Sequence, residues 1–231
     1  MAALLMGNHR GLPLPNRLTN PRPERSIGFV KILPKFVLPL MCVGAVVIVL
    51  SAGPASGQEA LKEANELEQK VEKLYQTGKY AEAIPLARKA LELREQALGL
   101  THPDVAWSLN SLAEMLHATG DYAGARPLYE RALTIFEQVL GPTHPDVAWS
   151  LNSLALLLQN TGDYAGARPL LERALTINEQ ALGPTHQAVA ANLHNLALLL
   201  MATRDYAGAR LLEERALTIL EQVLGPTHPD V

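Results

Sequence analysis

Cysteine is nearly absent from this chain of 231 residues, which holds only Cys42. A disulfide requires two cysteines, and a metal site built on thiolates requires several. The chain is therefore not expected to be cross-linked internally by a disulfide or by a cysteine-bound metal. Cys42 also lies within a short apolar run near the N-terminus, so residues 58–231 contain no thiol at all.

Positive charge is scarce in the larger part of the chain. Residues 58–231 contain 14 Lys or Arg against 22 Asp or Glu, which gives a net charge of −8. Nucleic-acid binding depends on a basic surface that neutralises phosphates. An acidic segment with no cluster of basic residues argues against nucleic acid as a partner.

The chain also lacks the residue combinations that carry common chemistry. There is no Ser/His/Asp constellation, no phosphate-binding glycine-rich loop and no paired-carboxylate pocket, so neither catalysis nor a cofactor is expected. Four histidines do recur, but equivalent atoms in packed helices lie at least about 8 to 10 Å apart, whereas zinc binds nitrogen at about 2.0 to 2.1 Å. We therefore predict no metal site and expect these histidines to pack at structural junctions: His102, His144, His186 and His228.

Long apolar runs are missing, and the one short run defines the N-terminal region. Residues 36–50 form a run of 15 residues without charge, preceded by six Lys or Arg against one Glu and followed by small residues that include Ala55 and Gly57. This pattern is typical of a secretory signal peptide, and a spanning helix usually needs about 17 to 25 apolar residues. We predict that residues 1–57 are a basic leader with a signal, cleaved near Gln58, and that the rest is exported to the periplasm or secreted. The alternatives are a membrane anchor at 36–50, with the rest outside the cytoplasm, and a buried core helix.

The rest of the chain is a tandem repeat of 42 residues. The unit 101–142 returns as 143–184 and again as 185–226, and the first two copies are identical at 35 of 42 positions. A more divergent copy covers 59–100, and residues 227–231 repeat the start of the unit. A repeat of this length indicates stacked structural units that bury their apolar faces against one another. We therefore treat 58–231 as one repeat domain.

Each unit carries two helical patterns. Val105, Leu109, Leu112, Ala113 and Leu116 form one apolar stripe of period 3.6, and a second stripe follows the break at residues 119–121. We call the two predicted helices of a unit helix A and helix B. The pattern predicts four helix pairs, in which Thr143 caps the third helix A and Pro145 lies in its first turn. The predicted helices cover about 59–77, 80–98, 102–119, 122–140, 144–161, 164–182, 186–203 and 206–224.

The motifs inside the unit identify the type of repeat. The period alone would also suit HEAT repeats or propeller blades, but a helical period excludes propellers. The segment GDYAGARPLYERAL at 120–133 resembles the tetratricopeptide (TPR) repeat, and the HPDVAxSLNxLA opening and LGPTH junctions resemble the longer repeats of kinesin light chains and their bacterial relatives. The resemblance covers residues 59–231 and implies an all-α solenoid, a right-handed superhelix of about four helix hairpins. It also implies a non-catalytic scaffold that binds a protein or peptide along helix A.

A second stripe on helix A marks the candidate binding face. In related proteins helix A lines the inside of the superhelix and holds extended peptides, and asparagine often binds the peptide backbone. The alternative is that Trp107 and Trp149 pack against the neighbouring helix A. The candidate groove residues are Trp107, Asn110, Glu114, His117, Trp149, Asn152, Gln159, Asn160 and His194.

Two further expectations concern the C-terminal end. The last helix B, at 206–224, is apolar on more than one side and would lack a polar cap, which favours self-association of the last hairpin. The partial unit at 227–231 also fits an N-terminal fragment of a larger multi-repeat sensor or effector protein.

Overall fold

The computed structural model describes residues 54–225, and these form helices without any strand. The leader, the apolar run at 36–50 and His228 lie outside the described residues. No helix among those described has both the length and the apolarity needed to cross a membrane. The helices are α1 (Pro54–Gln76), α2 (Tyr80–Leu98), α3 (Pro103–Ala118), α4 (Tyr122–Leu140), α5 (Pro145–Asn160), α6 (Tyr164–Leu182), α7 (Gln187–Ala202) and α8 (Tyr206–Leu224).

The helices pack as a solenoid of four hairpins. Each odd-numbered helix, a helix A, packs on the helix B that follows it, and each helix B then packs on the next helix A. Successive A helices also touch, since α3 contacts α5 and α5 contacts α7. The predicted all-α solenoid is confirmed, while its right-handed superhelical sense stays a prediction. α1 begins at Pro54, five residues before the predicted start, since proline suits the first helical position.

Small and large apolar residues alternate in the core. Ala113, Ala125 and Ala132 are fully buried and let helices A and B approach closely, while Leu109 and Tyr129 fill the space between them. The same positions are buried in the next unit, including Ala155, Ala167, Ala174 and Leu151. The predicted core stripe of helix A is therefore confirmed in both of the nearly identical units.

The recurring histidines cap the A helices. His102, His144 and His186 are the N-cap residues of α3, α5 and α7, and in each the Nδ1 atom accepts a backbone N–H two residues later at 3.1 Å. The prediction that Thr143 caps α5 is wrong, because His144 occupies that position. Proline after His102 and His144 favours the extended backbone that a cap requires, and His186 adopts the same backbone without a following proline. The role of these three histidines is therefore structural, but it is helix capping and not the packing at junctions that the sequence suggested.

Candidate functional site

Each junction between repeats contains a polar contact from one helix A to the next. The contact joins a residue to the residue 40 positions later. The Ser108 hydroxyl donates to Glu68 at 3.4 Å, and Asn110 Nδ2 donates to Ser150 Oγ at 2.6 Å. At the third junction, Asn192 Nδ2 donates to Asn152 Oδ1 at 3.3 Å. We call these three contacts the junction rungs.

Helix B also contributes a residue to each junction, and the chemistry of this residue differs from one junction to the next. Arg94 of α2 is buried, donates to Ser108 Oγ at 2.6 Å and pairs with Glu68. Phe136 of α4 is buried and meets Trp107 edge to face, with ring centroids 5.9 Å apart. Asn178 of α6 donates to Asn192 Oδ1 at 2.6 Å. The contact that helix B adds is therefore ionic at the first junction, aromatic at the second and amide at the third, although the three residues occupy equivalent positions.

The rungs correct the prediction for Asn110. The sequence pattern places Asn110 on an exposed stripe, but the residue is fully buried and its Oδ1 atom has no hydrogen-bond partner. The reason is that α5 packs on this side of α3, which the periodicity of α3 alone does not reveal. Asn152 is partly exposed, yet its Oδ1 atom already accepts from Asn192 and, at 3.0 Å, from Asn195. Both amides thus bond to neighbouring repeats.

Trp107 and Trp149 form the centre of the candidate face. Their rings stack across the junction between α3 and α5, with centroids 4.5 Å apart and planes inclined by 26°. Both side chains are half-buried against the core. The structure therefore shows the alternative that the sequence left open, in which Trp107 and Trp149 pack against the neighbouring helix A. Part of the surface of both rings nevertheless remains open to solvent.

Glu114 lies beside this pair and holds an unusual carboxyl group. The residue is partly exposed, but its Oε2 atom is shielded from solvent and has no hydrogen-bond partner. Burial raises the pKa of the Glu114 carboxyl to about 8, and a hydrogen bond with the Trp149 side chain opposes part of this rise. The carboxyl is therefore protonated at neutral pH.

Two tyrosines that were not predicted as site residues belong to the same region. Burial raises the pKa of Tyr75, and the charge of Glu114 adds to the effect. The same two causes, in the same order, raise the pKa of Tyr129 well above its usual value. Tyr75 could have been found from the repeat, because it occupies in α1 the position that His117 occupies in α3. Tyr129 lies on the apolar stripe of helix B and is buried in the core.

The remaining predicted residues form separate contacts along the A helices. Asn160 Nδ2 lies 2.6 Å from His117 Nε2, which links α5 to α3. Gln159 Nε2 reaches the Asn195 carbonyl at 3.5 Å, and His194 pairs with Glu213 of its own hairpin at 2.9 Å. The structure thus brings Trp107, Trp149 and Glu114 together, while His194 lies apart in the last hairpin. Within residues 54–225 no cluster of three or more His, Cys, Asp or Glu is arranged to hold a metal ion.

The sequence of this chain matches a family model of a known helical repeat. The family model described as "Tetratricopeptide repeat" matches residues 73–138, 109–180 and 150–222. No curated protein sequence matches the chain.

Solved structures share the fold. BtubC (BKLC) from P. vanneervenii is 25% identical, with a TM-score of 0.60 over 76% of this chain and 75% of that one. A Podosopora anserina kinesin light chain-like protein with nearly identical TPR-like repeats is 22% identical, with a TM-score of 0.53 over 74% of this chain and 98% of that one. A single-residue variant of that protein is also 22% identical, with a TM-score of 0.55 over 74% and 95% of the two chains.

Proposed function

Because the chain belongs to the tetratricopeptide repeat family, in which repeats generally mediate protein–protein interactions, we propose that it is a non-catalytic scaffold binding an extended peptide or protein segment. The segment lies in a concave groove along α3, α5 and α7. We call this surface the A-helix face. It is centred on Trp107, Trp149 and Glu114.

The observation that carries the proposal is the partly exposed tryptophan stack. Tryptophan is enriched among the residues that dominate protein–protein binding energy, since it offers a large rigid surface at low entropic cost. The stack holds both rings in place before any partner arrives, because each also packs on the core. A preorganised aromatic surface of this kind loses little freedom on binding.

In this proposal Asn110 does not bind the peptide backbone, although the sequence analysis counts it among the candidate groove residues. Asn110 is bonded to Ser150 and has no exposed surface, so it is not offered to a peptide. Polar contact with a peptide backbone is assigned instead to exposed or partly exposed groups further along the A-helix face, near the C-terminal ends of α3 and α5, namely Asn160, His117 and Gln159. These three side chains bridge neighbouring repeats and can exchange those contacts for bonds to a ligand.

Tryptophan fluorescence tests the proposal directly, because Trp107 and Trp149 are the only tryptophans in the chain. We expect extended peptides selected from a random library on the full-length protein to change the tryptophan emission on binding. Ala118→Tyr, which adds bulk to an exposed position on the A-helix face, should weaken binding at least tenfold. Ala123→Tyr, at a position on α4 that is likewise exposed, is the matched control. Peptides that bind equally well to both variants without altering the emission would refute this site.

We further propose that the last hairpin mediates self-association with a second copy of the chain. Leu211, Leu217 and Val223 of α8 are 67%, 41% and 49% exposed. The residues equivalent to Leu217 in the preceding units, Leu133 and Leu175, are instead packed on the core. We expect sedimentation velocity to show a concentration-dependent dimer that Leu211→Glu with Leu217→Glu abolishes. A wild-type protein that stays monomeric at all concentrations would contradict this.

Export remains our proposal for location, based on the basic leader and the apolar run at 36–50. N-terminal sequencing of the protein from its native cells should give a start near Gln58. A chain beginning at Met1 with its repeats outside the cytoplasm would favour the membrane anchor instead, and an intact cytosolic chain would exclude both.

A further inference from the structure

The Glu114 carboxyl group and its surroundings point to a second element of recognition on the A-helix face. We propose that Glu114 binds one basic side chain, the Lys or Arg of the bound peptide, and thereby fixes the position of the peptide along the repeats. This inference rests on the proposed function of the face and adds the chemistry of its ligand.

The first argument is an unused hydrogen-bond acceptor. Trp149 bonds to the carboxyl group of Glu114, whereas Oε2 is shielded from solvent and has no partner. A buried polar atom without a partner costs free energy, and a buried carboxylate costs more than a neutral group. Because Glu114 is partly exposed, a rotation of its side chain can bring Oε2 to the surface, where a guanidinium or ammonium donor from a ligand would satisfy Oε2 and neutralise the charge at once.

The second argument is the composition of the surroundings. Tyr75 of α1, Tyr129 of α4 and Trp149 of α5 lie close enough to interact with Glu114, either by charge or by the hydrogen bond. Aromatic rings attract cations through their electron-rich faces. None of the groups that raise or lower the pKa of Glu114 is a Lys or Arg. The site thus combines a carboxyl group with aromatic side chains. We infer that its cationic partner is supplied by the ligand.

The third argument comes from comparing the repeats. The position of Glu114 is occupied by Leu156 in the next unit and by Leu198 in the last. In the first unit it is Glu72, which is exposed and accepts a hydrogen bond from Gln76 at 2.7 Å. The solenoid therefore accommodates leucine at this position of helix A, and only the unit of Glu114 has a shielded carboxyl group there. One anchor in one repeat would hold a single basic residue and set the register of the peptide.

Proton release provides a signature of this contact. The free carboxyl keeps its proton at neutral pH because burial raises its pKa to about 8, and the groups facing it are Tyr75, Tyr129 and Trp149. A cation stabilises the ionised form, so binding should expel close to one proton at pH 7. The affinity for a basic peptide should then rise as the pH increases from 6 to 8.

The test uses the full-length protein and a set of matched nonapeptides. One peptide whose binding changes the tryptophan emission is chosen. It is then synthesised as a set of variants that carry Arg, Lys, citrulline or norleucine at each position in turn. We expect Arg or Lys at one position to bind at least tenfold more tightly than citrulline or norleucine, with proton release measured by calorimetry in two buffers of different ionisation enthalpy. Glu114→Gln should abolish both the preference and the proton release, while Glu72→Gln should preserve them. Circular dichroism confirms that each variant is folded.

The outcomes separate this inference from the proposed function. Peptides that change the tryptophan emission but show no basic preference, or an equal preference with Glu114→Gln, would overturn the Glu114 site and leave the binding face intact. A library in which no peptide of any composition binds the face would overturn the proposed function itself.

Discussion

Glu114→Gln is expected to raise the free energy of unfolding by about 3 kcal/mol at pH 7. The folded protein keeps Glu114 protonated up to a pKa of about 8, whereas the unfolded chain ionises near 4.5. Below pH 4.5 both states carry the proton, and the site imposes no penalty. As the pH rises from 4.5 to 8, only the unfolded state gains from ionisation, so stability falls by about 1.4 kcal/mol per pH unit.

The measurement is urea unfolding of wild type and variant between pH 5 and pH 8. Glutamine retains an acceptor for the Trp149 indole and carries no charge, so the gap between the two curves should widen with pH. Glu72→Gln, at the equivalent but exposed position of α1, should leave the curve unchanged. Parallel curves for wild type and Glu114→Gln over this range would show that the Glu114 carboxyl is solvated and ionised in the folded protein.

Arg94→Ala is expected to lower the free energy of unfolding by about 2 kcal/mol, which is less than the loss of about 3 to 5 kcal/mol for a fully buried ion pair because the Glu68 side chain is 35% exposed. Arg94 is 3% exposed and holds three groups from two helices: Asn65 and Glu68 of α1 and Ser108 of α3. Without it, Glu68 keeps its charge in a partly buried place and no longer has a cation. The exposed Arg88 of the same helix is the matched control, and Arg88→Ala should change stability very little.

The repeat itself supplies a rescue for this variant. At the second junction the positions of Asn65, Glu68 and Arg94 are occupied by Trp107, Asn110 and Phe136. The triple variant Asn65→Trp, Glu68→Asn, Arg94→Phe should therefore regain most of the lost stability, because it reproduces at the first junction the residues that the chain already uses at the second. Hydrogen exchange of α1 reports the effect locally. If the amides of α1 exchange as slowly in Arg94→Ala as in wild type, the contacts of Arg94 do not stabilise the packing of α1 on the other helices.

The fold was predictable because its signals are local and repeated four times. Apolar residues at helical spacing located the core stripe of α3, including Leu109 and Leu112, and the glycine-containing turns separated the helices. The helix ends were less certain. Threonine is a common capping residue, which favours Thr143 as the N-cap, whereas in the structure the histidine that follows it caps the helix, with or without a proline after it.

The candidate site was predictable only in part, because it depends on how neighbouring units meet. The sequence identified Trp107 and Trp149 as unusual, but their stacking depends on the spacing of α3 and α5. For the same reason Asn110 was wrongly expected to be exposed. The shielding of Glu114 also arises across units, since the groups near it come from α1, α4 and α5. Periodicity within one helix carries no information about these contacts.

The different chemistry of the three rungs also bears on how the chain folds. Units that are identical at 35 of 42 positions could dock in the wrong order during folding, as tandem domains of similar sequence often misassemble. Phe136 and Asn178 are among the few positions where these two units differ. If the hairpin α3–α4 docked directly on α7, Phe136 would face Asn192 and leave that amide without the partner it has in Asn178. The pair Asn178 and Asn192, which replaces Phe136 and Ser150 of the preceding junction, therefore favours docking of each of these hairpins on its own neighbour.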